Sequence, residues 1–359
     1  MEYMRKVMLR IHRLLGRTTG VIVCAICLSG SMFVFADELL HLLNRKLLTL
    51  TPGAQMKTVD EMVENVRAAY PAHRMINVTI HNDRKKSAVF FIADRETGPR
   101  QIFVNPFTGD IIGESGAIRF FSLTAHFHKE LLSGKTGSCI VGITSVIFLV
   151  SLLTGFAVCR PAKGSLKSYR RLLGIQHGGS FLKKTIDRHR VVGLLSIPLL
   201  CIVTVSGIAI ACLPRHGIEA QKKNDSPQSR CIFADSIRRK LTLQEIAEDF
   251  LGRKKVHAVR IELWNMKKSP AIEIVSAKDI GIVTYTGDMH LVDKYDGSAV
   301  TDKKLTAGVQ TVNFFRKLHV GGWLGLFGKL CTFAAGIAGA FLVLSGYVLW
   351  FLKRRKNSP

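Results

Sequence analysis

Four histidines lie at matched positions in this chain, and their side chains could bind a metal. His12 and His189 each stand at the start of a long apolar segment, with arginine next and glycine four residues on. His128 and His319 are each followed by glycines at offsets 6 and 9. A neutral imidazole is a common metal ligand and a common axial ligand of haem iron. A histidine beside an apolar segment can equally be a packed or headgroup-facing residue, so the chemistry depends on the elements that position the four rings.

Further matches in the same segments predict an internal duplication. A Ser-Gly pair follows His12 and His189 at offsets 17 and 18, and a small hydroxyl residue with glycine follows His128 and His319 at offsets 26 and 27. These pairs are Ser29-Gly30, Ser206-Gly207, Thr154-Gly155 and Ser345-Gly346. Small residues let membrane helices approach closely. Two copies in the same orientation predict a pseudo-two-fold axis along the membrane normal.

Four apolar runs without charged residues predict four transmembrane helices. A hydrocarbon core of about 30 Å needs about 20 helical residues, and each run is close to that length or longer. The predicted order is a basic segment 1–17, span 18–36, module 37–136, span 137–159, basic loop 160–188, span 189–213, module 214–320, span 321–352 and tail 353–359. The fold class is therefore a four-helix membrane bundle with two small extracytoplasmic α+β modules.

The first apolar run has two alternative interpretations. Val34-Phe35-Ala36 resembles a signal-peptide cleavage site, but the run is longer than a usual signal-peptide core and has a full-length counterpart in the third span. Cys24 and Cys27 have the spacing of a redox motif. Inside an apolar run they are expected to pack as small apolar residues.

The distribution of charge predicts the orientation and argues against a nucleic-acid partner. The formal net charge is +25, and segments 1–17, 159–190 and 353–356 hold 18 basic residues against two acidic ones. Basic residues concentrate on the cytoplasmic side of membrane proteins, so both termini are predicted to be cytoplasmic. Much of the positive charge then reflects membrane topology, which leaves no basis for nucleic-acid binding.

The two long segments outside the spans each predict a small α+β module. Residues 58–70 form an amphipathic pattern, and a second helix is predicted near Leu243–Phe250. Alternating apolar residues with Pro and Gly turns predict hairpins. The predicted strands are Asn77–Ile80, Ala88–Ile92, Gln101–Val104, Ile111–Gly113, Ala258–Trp264, Ala271–Ser276, Ile282–Tyr285 and Met289–Asp293.

Four segments together resemble the PepSY-associated transmembrane family, which includes inner-membrane ferric-siderophore reductases. They are His12–Gly16, the segment Ile102–Gly113, which looks like the end of a PepSY domain, His189–Gly193 and His319–Gly325. The resemblance covers nearly the whole chain, and the second PepSY-like module departs most from the pattern. It implies a multi-pass protein of the bacterial inner membrane.

The resemblance favours haem as the group that the histidines bind. We expect two haem b groups, one held by His12 and His189 at the cytoplasmic side and one by His128 and His319 at the outer side. Arg13 and Arg190 follow the inner histidines and could pair haem propionates, although basic residues there also fit the orientation rule alone. Alternative ligands in place of His128 are His126 and His41.

The resulting hypothesis is a transmembrane one-electron reductase. The chain has no strand–GxGxxG–helix fingerprint and no large cytoplasmic loop, so its electron donor would be a quinol or a separate cytoplasmic reductase. The acceptor would be a ferric siderophore or another ferric chelate, held between the two modules. The competing hypothesis is a non-enzymatic, membrane-anchored PepSY protein that binds or regulates a peptidase. A transporter would be expected to carry broken helices or buried carboxylates in mid-membrane.

Overall fold

The chain divides into two compact units that alternate along the sequence. The computed structural model describes the chain except for residues 1, 95, 97, 161–167, 169, 171, 176–178, 213–238, 254–255, 265–270, 278–287, 296, 298, 302–306 and 357–359. The helix unit consists of Met1–Phe35, Leu123–Arg215 and Ala307–Pro359. The sheet unit consists of Ala36–Ser122 and His216–Thr306.

Helices of very different length serve the two units. In chain order the helices are α1 (Glu2–Val34), α2 (Ala36–Leu43), α3 (Arg45–Leu48), α4 (Val59–Ala69), α5 (Ala117–Glu130), α6 (Gly134–Cys159), α7 (Phe181–Cys212), α8 (Leu243–Leu251), α9 (Ala307–His319) and α10 (Gly325–Lys356). The strands are β1 (Arg74–His81), β2 (Ala88–Asp94), β3 (Gly98–Val104), β4 (Ile111–Ser115), β5 (Ala258–Glu262), β6 (Ala271–Ala277), β7 (Asp288–Asp293) and β8 (Ala299–Thr301).

Four segments of the helix unit are long and apolar enough to cross a membrane. They are α1, α6, α7 and the segment Gly322–Arg355 that contains α10. The chain is therefore a multi-pass membrane protein. At a rise of about 1.5 Å per residue, the 33 residues of α1 measure about 50 Å, well beyond a hydrocarbon core. His12 thus lies within a continuous helix rather than ahead of one.

The four long helices form a bundle in which each has two neighbours. Helix α1 packs against α6 and α10, and α7 packs against the same two helices. Helices α1 and α7 therefore occupy opposite corners. Leu152, Leu200 and Ala335, from three of the helices, form a buried apolar cluster inside the bundle.

Small residues bring α1 and α10 close together. A Cβ added to Gly20 would lie 3.0 Å from the Tyr347 ring, and a Cβ added to Gly339 would lie 2.7 Å from Sγ of Cys27. Such distances leave no room for larger side chains, as expected at a membrane helix interface. Cys27 therefore packs as a small residue in this contact. The seven cysteines within the described residues are free thiols, and Cys231 lies outside them.

Within the described residues, the sheet unit contains one antiparallel sheet of eight strands, in the order β4-β3-β2-β1-β5-β6-β7-β8. Its two halves are four-stranded meanders that meet where β1 pairs with β5, from Asn77 opposite Glu262 to His81 opposite Ala258. The sequence analysis expected two separate modules. The structure joins them because a lone meander would leave β1 or β5 as an unpaired edge. The seam between the halves is closed by backbone pairing.

A single hydrophobic core underlies both halves of the sheet. It contains Phe90 and Ile102 from the first half and Val259 and Ile261 from the second, all fully buried. Helices α4 and α8 contribute apolar side chains to the same core. The two halves are therefore held together by burial of apolar surface across the seam, in addition to the hydrogen bonds between β1 and β5.

The predicted elements of the sheet unit are present with small changes in their ends. Helix α4 begins after Thr58, which forms a capping box with Glu61, and α8 begins after Thr242, which forms one with Glu245. The backbone hydrogen bond from Thr58 lowers the pKa of Glu61, and the corresponding bond from Thr242 lowers the pKa of Glu245. The predicted strand Ile282–Tyr285 lies outside the described residues.

The two capped helices begin side by side and satisfy each other's backbone donors. Asp60 accepts hydrogen bonds from the backbone N–H groups of Leu243 (3.1 Å) and Gln244 (3.1 Å). In return the Gln244 side-chain oxygen accepts from the N–H of Val59 at 3.0 Å. The first N–H groups of a helix have no intrahelical acceptor, and a carboxylate is favoured there. Asp60 thus joins the first half of the sheet unit to the second.

Replacing Asp60 with alanine should weaken this junction. Two N–H groups at the start of α8 would lose their acceptors, at a cost of about 1–3 kcal/mol. In the full-length protein, hydrogen exchange at Leu243 and Gln244 should become faster. Glu64→Ala provides a control, because Glu64 is an exposed carboxylate of the same helix that pairs with Arg67 at the surface. Equal exchange rates in the two variants would contradict the role of Asp60.

Candidate metal centres

The structure brings His12 of α1 and His189 of α7 together across the bundle. Their ring centroids are 6.2 Å apart with the ring planes at 73°. Both side chains are half-buried. Because the two helices stand at opposite corners, the rings approach each other in the interior of the bundle.

A second pair forms from His128, near the end of α5, and His319, the last residue of α9. Their ring centroids are also 6.2 Å apart, with the planes at 46°. Neither residue belongs to one of the four long helices. Each instead lies on the short helix that precedes a membrane span. The apolar pattern of the sequence did not predict this arrangement.

The separation in both pairs suits two imidazoles on opposite sides of one metal ion. Each metal–nitrogen bond is about 2.0 Å and each nitrogen lies about 1.15 Å from its ring centre, which gives about 6.3 Å between the ring centres. The observed separation of 6.2 Å in each pair is close to this value.

Hydrogen bonds determine which ring nitrogen carries the proton. Nδ1 of His12 lies 2.9 Å from the carbonyl oxygen of Ser151, Nδ1 of His128 lies 2.9 Å from that of Ile26, and Nδ1 of His319 lies 2.8 Å from that of Val203. A carbonyl oxygen can only accept, so Nδ1 must be the donor in all three rings. Nε2 then holds the lone pair that a metal requires.

His189 also carries its proton on Nδ1, but that proton is donated to a hydroxyl. Its Nδ1 lies 2.8 Å from Oγ of Ser345, and that hydroxyl donates to the carbonyl of Phe341 at 2.7 Å. Since the hydroxyl proton is engaged there, Oγ accepts from Nδ1–H. Within the described residues, every hydrogen bond found for the four rings involves Nδ1.

Each ring lies against the glycine of one of the Ser/Thr-Gly pairs. An added Cβ would lie 2.8 Å from Cε1 of His128 at Gly30, 3.0 Å from that of His12 at Gly155 and 2.9 Å from that of His319 at Gly207. The glycines therefore make room for histidine rings, whereas the sequence analysis explained them only by close helix approach. At Gly346 the corresponding distance to Cε1 of His189 is 3.7 Å.

Within each half of the chain, each of the two histidines packs on the other membrane helix of that half. His12 of α1 packs on α6, and His128, just ahead of α6, packs on α1. His189 of α7 packs on α10, and His319, just ahead of the last span, packs on α7. Each histidine pair takes one ring from each half of the chain.

The chain matches the family model described as the PepSY-associated TM region over residues 9–353. It belongs to this family. No curated protein matches the chain.

Two protein ligands per centre narrow the kind of metal that this PepSY-associated protein could hold. Across the part of the chain that the structure describes, no group of three or more His, Cys, Asp or Glu residues is placed to bind a metal ion. Structural and catalytic ions without a macrocycle usually take three or four protein ligands. A porphyrin supplies four equatorial nitrogens, so two histidines suffice for its iron. Each histidine pair of this PepSY-associated protein has the number of side-chain donors that a haem would need.

The two arginines that follow the inner histidines have different surroundings. Arg190 is held by Asp187 at 2.8 Å and by the carbonyl oxygens of Leu172 (2.9 Å) and Gly174 (3.2 Å). Arg13 is exposed. In this family member Arg190 therefore links Leu172 and Gly174, which precede α7, to that helix. Its pairing with a propionate, and that of Arg13, stays a prediction.

The alternative histidines lie in other surroundings. The His126 side chain is 56% exposed and pairs with Glu130 on the same helix. His41 belongs to α2 in the sheet unit. The ring that the structure places opposite His319 is that of His128.

The sequence analysis missed the groups that hold the four rings. Three of them are backbone carbonyls, which every residue possesses, so no residue type marks them. Their spacing provides a signal, however, since Ile26 follows His12 at the same offset at which Val203 follows His189. In both halves, the residue whose carbonyl accepts the hydrogen bond thus lies four positions before the glycine of a Ser-Gly pair.

Proposed function

We propose that the chain is a haem-containing transmembrane one-electron reductase, with an inner site at His12 and His189 and an outer site at His128 and His319. The observation that carries the proposal is the geometry of the two pairs. Both have centroids 6.2 Å apart, and in both the hydrogen bonds leave Nε2 of each ring available. Haem bound at both pairs would supply a one-electron couple at each side of the membrane.

The residues of the chain support this function in three ways. The Nδ1 contacts fix the tautomer and orientation of each ring before any metal binds. The glycines let the rings sit close to the helix backbone. The apolar cluster of Leu152, Leu200 and Ala335 keeps water out of the bundle.

The length of the helices sets the distance between the two sites. Helix α1 carries His12 of the inner site and also Ile26, whose carbonyl accepts from His128 of the outer site. Helix α7 carries His189 and Val203 at the same spacing, and the Val203 carbonyl accepts from His319. At a rise of about 1.5 Å per residue, the two levels are about 21 Å apart along each helix. Two sites at this separation lie towards opposite faces of a hydrocarbon core of about 30 Å.

The repeated contacts support a tandem duplication of one unit, in which a PepSY-like module links two membrane helices. We place the chain in the bacterial inner membrane with both termini in the cytoplasm, because 18 basic residues concentrate in the segments at that side. The electron donor would be a quinol or a separate cytoplasmic reductase. The acceptor would be a ferric siderophore or another ferric chelate on the outer side.

The net reaction transfers one electron from the donor to one ferric ion, which becomes ferrous. Hard oxygen ligands bind the less charged ferrous ion more weakly. Reduction would therefore help to release iron from the chelate.

An absorption spectrum of the detergent-purified protein, oxidised and then reduced with dithionite, tests the proposal. We expect a b-type spectrum with two haems per chain. Colourless protein from haem-replete cells would contradict the proposal. It would instead favour the non-enzymatic PepSY protein that regulates a peptidase, since a membrane anchor does not need paired histidines.

A further inference from the structure

The acceptor of the Nδ1 proton differs at one of the four histidines. His12, His128 and His319 donate to backbone carbonyls, and His189 donates to the Ser345 hydroxyl at 2.8 Å. The difference lies within the inner site, whose other ring uses a carbonyl. The outer site has carbonyl acceptors on both rings.

A second observation shows that His189 stands further from its supporting helix. An added Cβ at Gly346 would lie 3.7 Å from Cε1 of His189, whereas the other three glycines give 2.8, 2.9 and 3.0 Å. A ring displaced slightly outward reaches the hydroxyl before it reaches the backbone. The hydroxyl contact and the larger gap are thus two consequences of one displacement.

Ser206 and Ser345 form the same hydrogen bonds to their own helices. At the outer site, Ser206 donates to the carbonyls of Ile202 and Val203, and its Oγ lies 3.3 Å from Nδ1 of His319. Ser345 donates to Phe341 and Leu342 in the same way, at 2.7 and 3.1 Å. The carbonyl of Leu342 is the counterpart of that of Val203, and each accepts from its serine. The longer distance of His189 from its helix, rather than the serine, therefore separates the two sites.

We propose that Ser345 is a positioning residue that sets the redox potential of the inner site through His189, which rests on the proposed haem function. A carbonyl is a stronger acceptor than a hydroxyl, so a carbonyl partner gives the imidazole more anionic character. A more basic imidazole stabilises ferric over ferrous iron. With one hydroxyl partner, the inner site has a higher potential than two carbonyl partners would give it.

The test compares Ser345→Ala with Ser206→Ala, each in a background that retains one site. Ser345→Ala is made in the His319→Ala protein and Ser206→Ala in the His189→Ala protein, and each is titrated electrochemically while the absorption of the reduced haem is followed. In Ser345→Ala the hydroxyl acceptor is gone and the Leu342 carbonyl is the counterpart acceptor left for His189, so the midpoint potential should fall. In Ser206→Ala it should move much less, because His319 already uses the Val203 carbonyl.

The conservative variant Ser345→Thr keeps the hydroxyl and should keep the potential of its parent. Equal shifts in Ser345→Ala and Ser206→Ala, or no shift in Ser345→Ala, would overturn the inference. Loss of the inner haem from Ser345→Ala with its retention in Ser345→Thr would also overturn it, because no carbonyl would then have replaced the hydroxyl. Absence of haem from the unmodified protein would contradict the proposed function itself. That result is obtained before any variant is made, so the two failures can be distinguished.

Discussion

His319→Ala is expected to remove the outer haem and leave the inner one, and His189→Ala is expected to do the reverse. Under the proposed function two histidines would hold each haem, and within the described residues no third His, Cys, Asp or Glu is grouped with either pair as a replacement. Each substitution would leave one histidine to hold the group at that site. Purified variants should therefore contain one haem per chain where the unmodified protein contains two, measured by the pyridine haemochromogen assay.

The control for these variants is His126→Ala. His126 lies two residues from His128 but pairs with Glu130 on the exposed side of its helix, so both haems should remain. Electron delivery to an external ferric chelate should cease in both single-site variants, since each interrupts the path between donor and acceptor. If either substitution removed both haems, the assignment of one haem to each side would be wrong.

Gly207→Ala is expected to disrupt the outer site without removing any ligand. The new Cβ would lie 2.9 Å from Cε1 of His319, a distance that carbon atoms in folded proteins almost never adopt. Because the methyl group belongs to rigid helix backbone, the His319 ring has to move away from its carbonyl partner. Overpacking of this kind costs about 1–3 kcal/mol, and the outer haem should be lost or become weakly bound.

Gly346→Ala is the matched control for this prediction. It makes the same change at the corresponding position of α10, where the new Cβ would meet Cε1 of His189 at 3.7 Å, an ordinary van der Waals distance. Both haems should be retained in this variant. Equal loss of haem from Gly207→Ala and Gly346→Ala would show that helix packing, rather than the space beside the ring, determines the effect.

The sequence allows the four spans and the sets of matched residues to be predicted because both depend on local pattern. An apolar run predicts a membrane helix without knowledge of what packs against it. Equal offsets to the following residues show that His12 corresponds to His189. The family is confirmed over residues 9–353. The resemblance that led to it rests on the spacing of histidines and glycines and on the segment Ile102–Gly113.

Other features depend on contacts between distant segments and leave no local pattern. The pairing of β1 with β5 joins strands from opposite halves of the chain, as where Asn77 lies opposite Glu262. Each strand alone looks like the edge of its own module. No residue type marks the carbonyl acceptors of the histidines, because backbone groups are the same at every residue, and their repeated offset gains a meaning only once the rings are placed. The glycine beside each ring could be recognised as special, but its purpose required the position of the ring.

Because each pair takes one ring from each half, a chain with only one half could complete neither site alone. An ancestor of that length would have needed a second copy of itself, and a symmetric dimer would place Asp60 opposite Asp60. The joined chain instead sets Asp60 against Gln244, which avoids apposing two negative charges. It also lets Ser345 hold His189 differently from the other rings. In a single chain the two halves can differ at such positions, whereas in a dimer of identical subunits they cannot.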